Sequence, residues 1–521
     1  NDVYKQHNRL EHLMSNLSEL LPSGGGQNQI DFVASGTLPN GKPVILKSNG
    51  QIEVVAETTN TTTASIPNDD EVVYSGDNGF PVSEFVSNTS NKFVMVWVEN
   101  GGGWNVKSIV GTISGSSINF GSAQVLTNHY LYDMDISFQP LTNKFILVGS
   151  DGWQSRKGVY AVGTVSGTSI SWGSLNIFNS GAAHKTSICF DPNQSGRFII
   201  GYKNASNNNF GYVVAGLRSG NSASFNTPIN MRSVAVTETT VEFDPSTTGS
   251  FIFCCNTSSA TQVMGGTLTG SSIAYSANSY TAFGDRNTGG GPKAAFNPVV
   301  AGQFIVATMV NMGGGQNLIV IVGNKTGNHT ISAVGTYGTA SSSVVVVNTG
   351  NTYYPDIRFD SFGTGSNKFI VAYRNPSNNH YGTIRIGSIS SNTITLASPI
   401  VMNSKHNDYL RLSFDKNAMG SFIISYKNDS TNNGVSSGVM ANSRITTNLT
   451  STNLIGISAE AASSGATAKI NTWGGINESQ TSLTIGSDYY AQTNGTITTA
   501  TGGQKLGTAI SATTINIRDL P

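Results

Sequence analysis

Apolar and polar residues alternate along almost the whole chain, and only the first 22 residues follow a different rhythm. There Val3, His7, Leu10, Met14, Leu17 and Leu21 recur at spacings of 4, 3, 4, 3 and 4, a heptad seam that predicts a helix. Pro22 and the glycines after Ser23 end it. Such a helix either packs on its own protein body or joins copies of the chain as a short coiled coil. The seam favours the second reading and a parallel homo-oligomer, with a trimer the first expectation. Downstream, Val44–Leu46 and Ile52–Val55 flank the Asn49-Gly50 turn of a β-hairpin, and the Thr- and Asn-rich residues 56–70 read as a linker.

From about residue 79 to 445 the alternation itself repeats. An aromatic-apolar strand recurs with Phe93, Phe145, Phe198, Phe251, Phe304, Phe369 and Phe422, spaced by 52, 53, 53, 53, 65 and 53 residues. Shortly upstream of each lies a partner: Phe85, Phe138, Phe190, Phe243, Phe296, Phe359 and Phe414. The turns between them, such as FDPNQSGRF and FDPSTTGSF, have the composition of tight connections. A glycine, as at Gly111, Gly163, Gly216 and Gly387, closes a third strand, and SGSSINF-like turns lead into a fourth.

A four-stranded meander of this length cannot bury both faces alone, whereas a ring of them buries the faces and leaves few open edges. The sequence therefore predicts an all-β fold: a seven-bladed β-propeller with a short N-terminal helix and small N- and C-terminal β modules, in preference to a linear array or solenoid. The expected divisions are 1–24 for helix and glycine linker, 25–70 for the hairpin module, 71–448 for the propeller and 449–521 for a C-terminal β domain. The stretch EVVYSG at 71–76 resembles the fourth-strand ending NIFNSG at 176–181, and is expected to complete the last blade. The longer spacing in the fifth unit predicts a lengthened loop near GNKTGNHTISAVGTYGT.

In the last 70 or so residues, strands are expected at 454–457, 466–470, 482–485, 488–491 and 514–517. YYAQTNGTIT echoes the N-terminal VILKSNGQIEV, so the two ends form either one β domain or two related ones, unless the echo is only the commonness of Asn-Gly hairpins.

Composition narrows the function. Only 11% of the 521 residues are charged, and 29 basic residues balance 29 acidic ones, so no overall field favours nucleic acid or an acidic membrane. Cys189, Cys254 and Cys255 lie among apolar strand residues and read as buried thiols. No apolar run is long enough for a membrane span, no signal peptide is visible, and the chain begins at Asn1, which leaves earlier processing open.

Phosphate loops, zinc motifs and nucleophile elbows are missing, and no cofactor is expected. A lone near-match to a sialidase aspartate box at Ser75, Asp77 and Gly79 has Val82 where an aromatic belongs. A glycosidase needs two carboxylates flanking the sugar. Asp191, Asp244 and Asp415 recur as turn residues, leaving Glu99, Asp151, Asp356 and Asp408 as acids for a binding face. The reading is not an enzyme.

Binding chemistry is better represented. In a propeller the loops from second to third strand share a face with the crossings between blades. Trp104, Trp153, Lys203, Asn204, Arg374, Asn375, His380, Lys427 and Asn428 fall in the first set. Tyr130, Tyr132, Tyr353, Tyr354 and His406 fall in the second, with His129, His184 and Tyr409 beside them. Aromatic faces beside amides and cations are what a carbohydrate-binding surface uses. Tyr202, Tyr373 and Tyr426 either join that face or cap blade packing.

The segments KFIVAYRNPSNNHYGTIRIGSI and NLIGISAEAASSGATAKINTWGGINESQTSLTIGSDYYAQTNGTITTA resemble repeat and terminal modules of virion structural and tail-fibre-like proteins of marine tailed bacteriophages of the cyanophage type. The resemblance spans about residues 79–445 and 449–521 and carries no map of functional residues. It implies a non-enzymatic component of a virion, placed in a tail fibre, decoration or appendage. Its partners would then be other virion proteins and a host cell-surface polysaccharide. The alternatives are a secreted carbohydrate-active enzyme and a bacterial surface lectin or appendage subunit.

Overall fold

The computed structural model describes residues 28–62, 71–75, 81–100, 103–115, 117–276, 279–285, 291–312, 315–327, 329–362, 365–428, 432–440, 442–518 and 520. The heptad seam from Val3 to Leu21 lies outside them. Strands make up nearly all the regular structure among the described residues, relieved by a 3-10 turn at Pro376–Asn378. The chain divides into two compact units, one of residues 62–442 and one that combines 1–61 with 443–521.

The larger unit is a propeller. Its strands pair as seven antiparallel meanders among the described residues, numbered here as blades 1 to 7. In blades 1, 2, 5 and 6 the innermost strand is Val82–Phe85, Leu131–Phe138, Lys293–Phe296 and Tyr353–Phe359. In blades 3, 4 and 7 it is the second half of a 15-residue strand, Asn176–Phe190, Ile229–Phe243 or Ile400–Phe414, whose first half edges the preceding blade. Each innermost strand packs on the next, and that of blade 7 packs on that of blade 1, so the ring closes.

The repeated phenylalanines face each other in register: Phe85 opposite Phe93, Phe138 opposite Phe145, and likewise to Phe414 opposite Phe422. The second Phe also stands opposite the glycine of the third strand, as Phe93 does with Gly111 and Phe198 with Gly216. A Cβ added to Gly216 would meet Phe198 Cζ at 2.2 Å, and one on Gly163 would meet Phe145 Cζ at 2.3 Å. These glycines lie within the third strand, not at its end as the sequence suggested. Their role is to let a phenylalanine ring lie across the neighbouring backbone. Apolar clusters form between successive blades, including one that joins Phe85, Phe93 and Trp97 of blade 1 to Ile423 and Val435 of blade 7.

Two expectations about the blades change. The fourth strand is not continuous. In blade 2, Ser169–Trp172 pairs with one end of the third strand, Lys157–Ser166, and Asn176–Ala182 pairs with the other. The repeated turn aspartates also do more than shape their own turns. Asp191 accepts from the N–H of Asn193 at 2.9 Å and from the N–H of Gly249 in blade 4 at 2.9 Å. Asp244 repeats this with Ser246 and with Gly302 of blade 5, both at 2.9 Å. Asp415 accepts from Asn417 at 2.7 Å and from Asn91 of blade 1 at 2.5 Å, lacing last blade to first. The strand Glu71–Ser75 pairs with Asn432–Val439 in blade 7. In blade 5, residues 335–343 form the longer loop, between Thr330–Val334 and Val344–Thr349.

The smaller unit joins both ends of the chain, so the hairpin module and the C-terminal segment are one body. One sheet runs Gln29–Val33, Thr467–Asn471, Leu454–Ser458, Pro43–Leu46, Ile52–Val54. A second contains Asp488–Ala491, Gln504–Ala509 and Ile515–Ile517. Glu57–Thr62, read as linker, pairs with Asn442–Thr447 because its Thr-rich alternation suits a strand. Residues 482–485 form no strand, and Ile485 is 68% exposed.

Candidate functional site

The rim where innermost strands begin is built on a recurring bulge. Registers shift between Tyr132 and Asp135, His184 and Ser187, Tyr353 and Asp356, and Asp408 and Arg411. Asp133, Lys185, Tyr354 and Tyr409 take positive φ of 50°, 54°, 52° and 55° there. A bulge redirects the side chains beside it, which is how one strand can serve both rim and axis. Lys185 of blade 3 bridges Asp133 of blade 2 at 3.4 Å and Glu238 of blade 4 at 3.0 Å.

Two aromatic clusters occupy this rim. In the first, Trp104 and Tyr130 approach to 4.2 Å between ring centroids, Tyr130 and Tyr132 to 3.9 Å, and the Arg156 guanidinium lies 3.2 Å over Tyr132. Beside them His129 Nδ1 lies 2.7 Å from the carboxylate of buried Asp151, which also accepts from the Trp153 N–H at 2.9 Å and from Gln154 Nε2 at 2.8 Å. Trp153 is thereby held 5.2 Å from the His129 ring while remaining 55% exposed. Tyr130 is buried beneath its neighbours, and burial followed by the nearby Tyr132 pushes its phenol up to about 12. It supports the cluster instead of presenting a face.

The second cluster belongs to blades 6 and 7. Arg374 pairs with Asp408, lies 3.0 Å from His406 Nε2, and sits 4.3 Å from the Tyr353 ring and 5.3 Å from that of Tyr354. His380 stacks on His406 at 4.8 Å, and Tyr354 lies 4.6 Å from Tyr409. Burial and the adjacent Arg374 hold His380 below the usual histidine range. Arg374 Nε, His380 Nδ1 and Asn407 Oδ1 are buried without a hydrogen-bond partner. The clusters belong to blades 1 and 2 and to blades 6 and 7, and blade 7 is next to blade 1 around the ring.

The remaining expected residues divide. Lys427 stands opposite Asp408 in register and so joins the second cluster. Lys203 and Asn204 lie in blade 3, apart from both, with Lys203 opposite His184. Asn375 accepts from the Ser377 N–H at 3.1 Å to cap the 3-10 turn, and Asn428 is buried, its Oδ1 without a hydrogen-bond partner. Tyr202, Tyr373 and Tyr426 are fully buried inside blades, so they cap packing. Of the expected acids, Glu99 pairs with Lys107, and Asp356 faces the axis instead of the rim. Arg156 escaped the sequence reading, although it follows Trp153 in the same loop.

A second feature was invisible in the sequence. An axial cavity of about 620 Å³ runs along the innermost strands toward the turns that carry Pro140, Pro192, Pro245, Pro298 and Lys416. Glu84, Asp135, Glu242, Asp356, Arg358 and Arg411 line it, three or one residues before a repeated Phe. Burial raises Glu84 to about 7 and raises Glu242, whose Oε1 receives Arg358 Nη1 at 2.6 Å. Cys189 faces the same space, and burial pushes its thiol well above the ordinary range, while Cys254 and Cys255 are buried between blades. Among the described residues no His, Cys, Asp and Glu group suits a metal ion.

No family model matches the chain, and no curated protein matches it either. Solved structures similar to it include Sqt1 of Chaetomium thermophilum, 11% identical, covering 69% of this chain and 85% of that one with a TM-score of 0.42. The BP39L lectin of Burkholderia pseudomallei is 10% identical over 71% of this chain and 98% of that one, with a TM-score of 0.48. Sqt1 of Saccharomyces cerevisiae is 11% identical over 73% and 99%, with a TM-score of 0.41.

Proposed function

We propose that the chain is a non-enzymatic structural component of a tailed-phage particle, in a fibre, decoration or appendage, whose propeller offers its aromatic rim to a host-surface polysaccharide. The observation that carries the binding part is the pairing of exposed Trp153 and half-buried Tyr353 with fixed cations and imidazoles on one rim. Aromatic faces stack on the C–H surfaces of sugars, and Arg374, His380 and His406 supply polar partners for hydroxyls. The virion assignment is supported by the sequence resemblance of the repeats and the C-terminal segment.

Such a shallow polar site binds weakly alone, because its contacts replace hydroxyl-water bonds with little net gain. Several copies on one particle raise apparent affinity by about 10² to 10⁴. The test pairs immunogold labelling of particles with a glycan array of bacterial surface polysaccharides, probed by the intact chain and by Trp153→Ala with Tyr353→Ala. Labelled particles and a glycan signal lost in the variant are expected. Unlabelled particles overturn the virion reading. An undiminished signal overturns the rim as the binding face.

A further inference from the structure

The second rim cluster holds its arginine by one nitrogen. Arg374 Nη1 donates to Asp408 and lies 3.0 Å from His406 Nε2, while Nε is buried without a hydrogen-bond partner. Nη2 makes no hydrogen bond among the described residues and stays open to solvent. A guanidinium presents its N–H groups as a fork that fits both oxygens of a carboxylate, and here Asp408 engages one side of that fork. The neighbours add no second carboxylate. His406 meets a group that can only donate, so its Nε2 accepts there and the imidazole is neutral. His380, stacked on it at 4.8 Å, is held below the usual histidine range by burial and then by Arg374. Asp356, three residues after Tyr353, faces the axial cavity, and Lys427, opposite Asp408 in register, brings a further cation to this side. Arg374 also lies 4.3 Å from the ring centroid of half-buried Tyr353. An aromatic ring and an open charged fork therefore stand within reach of a single sugar.

We infer that this cluster takes the uronic-acid units of an acidic polysaccharide, with the sugar against Tyr353 and its carboxylate on the open side of Arg374. The inference rests on the rim reading above and narrows its ligand from polysaccharide to polyuronate. A planar two-oxygen acceptor matches the free N–H groups in direction as well as in charge. A neutral hydroxyl fills one of them and brings no charge, so a neutral sugar leaves most of the fork unused.

The test is binding of the full chain to immobilised alginate, polygalacturonate and hyaluronan, each beside the same polymer with its carboxyl groups reduced to alcohols, and to dextran sulfate. At least one polyuronate is expected to bind about tenfold tighter than its reduced form. Arg374→Gln and Arg374→Lys should both remove that preference, because lysine keeps the charge and loses the fork. Trp153→Ala should weaken a polyuronate and its reduced form alike, since Trp153 offers a ring face and no charge. If the Arg374 variants do not fold, Asp408→Asn decides: freeing the fork should tighten the polyuronate about threefold and leave the reduced polymer unchanged, and an unchanged polyuronate affinity overturns the inference. Equal affinity for polyuronates and their reduced forms, a preference that survives in Arg374→Lys, or tighter binding of dextran sulfate than of every polyuronate would each overturn it as well. Binding confined to neutral polysaccharides overturns it and leaves the rim reading standing, whereas binding to no polysaccharide at all sinks both.

Discussion

The two faces of the propeller are made from the same repeats yet treat them differently. On the turn face, the same unit recurs: Asp191, Asp244 and Asp415 each cap their own turn and grip the next blade. On the rim, the register shift recurs but the side chains around it do not. Aromatics and cations gather beside blades 1, 2, 6 and 7, while blade 3 contributes Lys185, Lys203 and His184. Repetition thus marks what holds the ring together, and departure from repetition marks where the surface has become specific.

The largest test of that contrast is in the shared core. Phe198→Ala should destabilise the propeller by about 3–5 kcal/mol, because the ring is fully buried and lies over Gly216. Denaturant unfolding would measure it, and a loss under about 1 kcal/mol would mean the blades do not depend on the repeated ring. Next comes Asp244→Ala, which strands the N–H groups of Ser246 and Gly302 and should cost about 2 kcal/mol by the same assay.

Rim substitutions should separate binding from stability. Trp153→Ala is expected to change unfolding by no more than about 0.5 kcal/mol, as an exposed position away from caps and core does. Its glycan affinity should nevertheless fall about tenfold, read by titration with whichever polysaccharide the array identifies. Equal losses in both assays would erase the distinction between the faces.

The last test is a pH slope from the axis. An unfolded Glu84 ionises near its ordinary 4.5, and the folded one near 7. Between those values the folded state holds more protons, so Glu84's contribution to stability is present at low pH and is lost as pH rises through about 7. Glu84→Gln should flatten that slope in melting curves taken from pH 4.5 to 7.5. A slope identical to wild type would place the titration elsewhere.

What could be read from the sequence was whatever recurs locally. The Phe-turn-Phe pairs lie within one hairpin, so their spacing alone gave the register, and the glycine beyond them marked a third strand. The closing strand Glu71–Ser75 was legible because its residues echo another blade's edge. Rim residues were legible as a class, since loop position and aromatic type are both local. Their division into working and structural members was not: Tyr353 and Tyr373 look alike in sequence, yet one is partly exposed under Arg374 and the other is fully buried.

The sequence by itself therefore determined the repeat, the strands and the ring they imply, because hydrogen-bonded neighbours there are separated by a turn. Only the tertiary structure decided three other things. It joined the chain ends into one unit, with Gln29–Val33 pairing Thr467–Asn471. It turned Asp191, Asp244 and Asp415 from turn formers into ties between blades. It also brought Asp135, Asp356 and Arg411 to one axial cavity, from positions one or more repeats apart where each looks like an isolated charge. The reason is the same in each case. These contacts are made across a ring, where distance in space has no relation to distance along the chain, and no local pattern of residue types records which charge will face which.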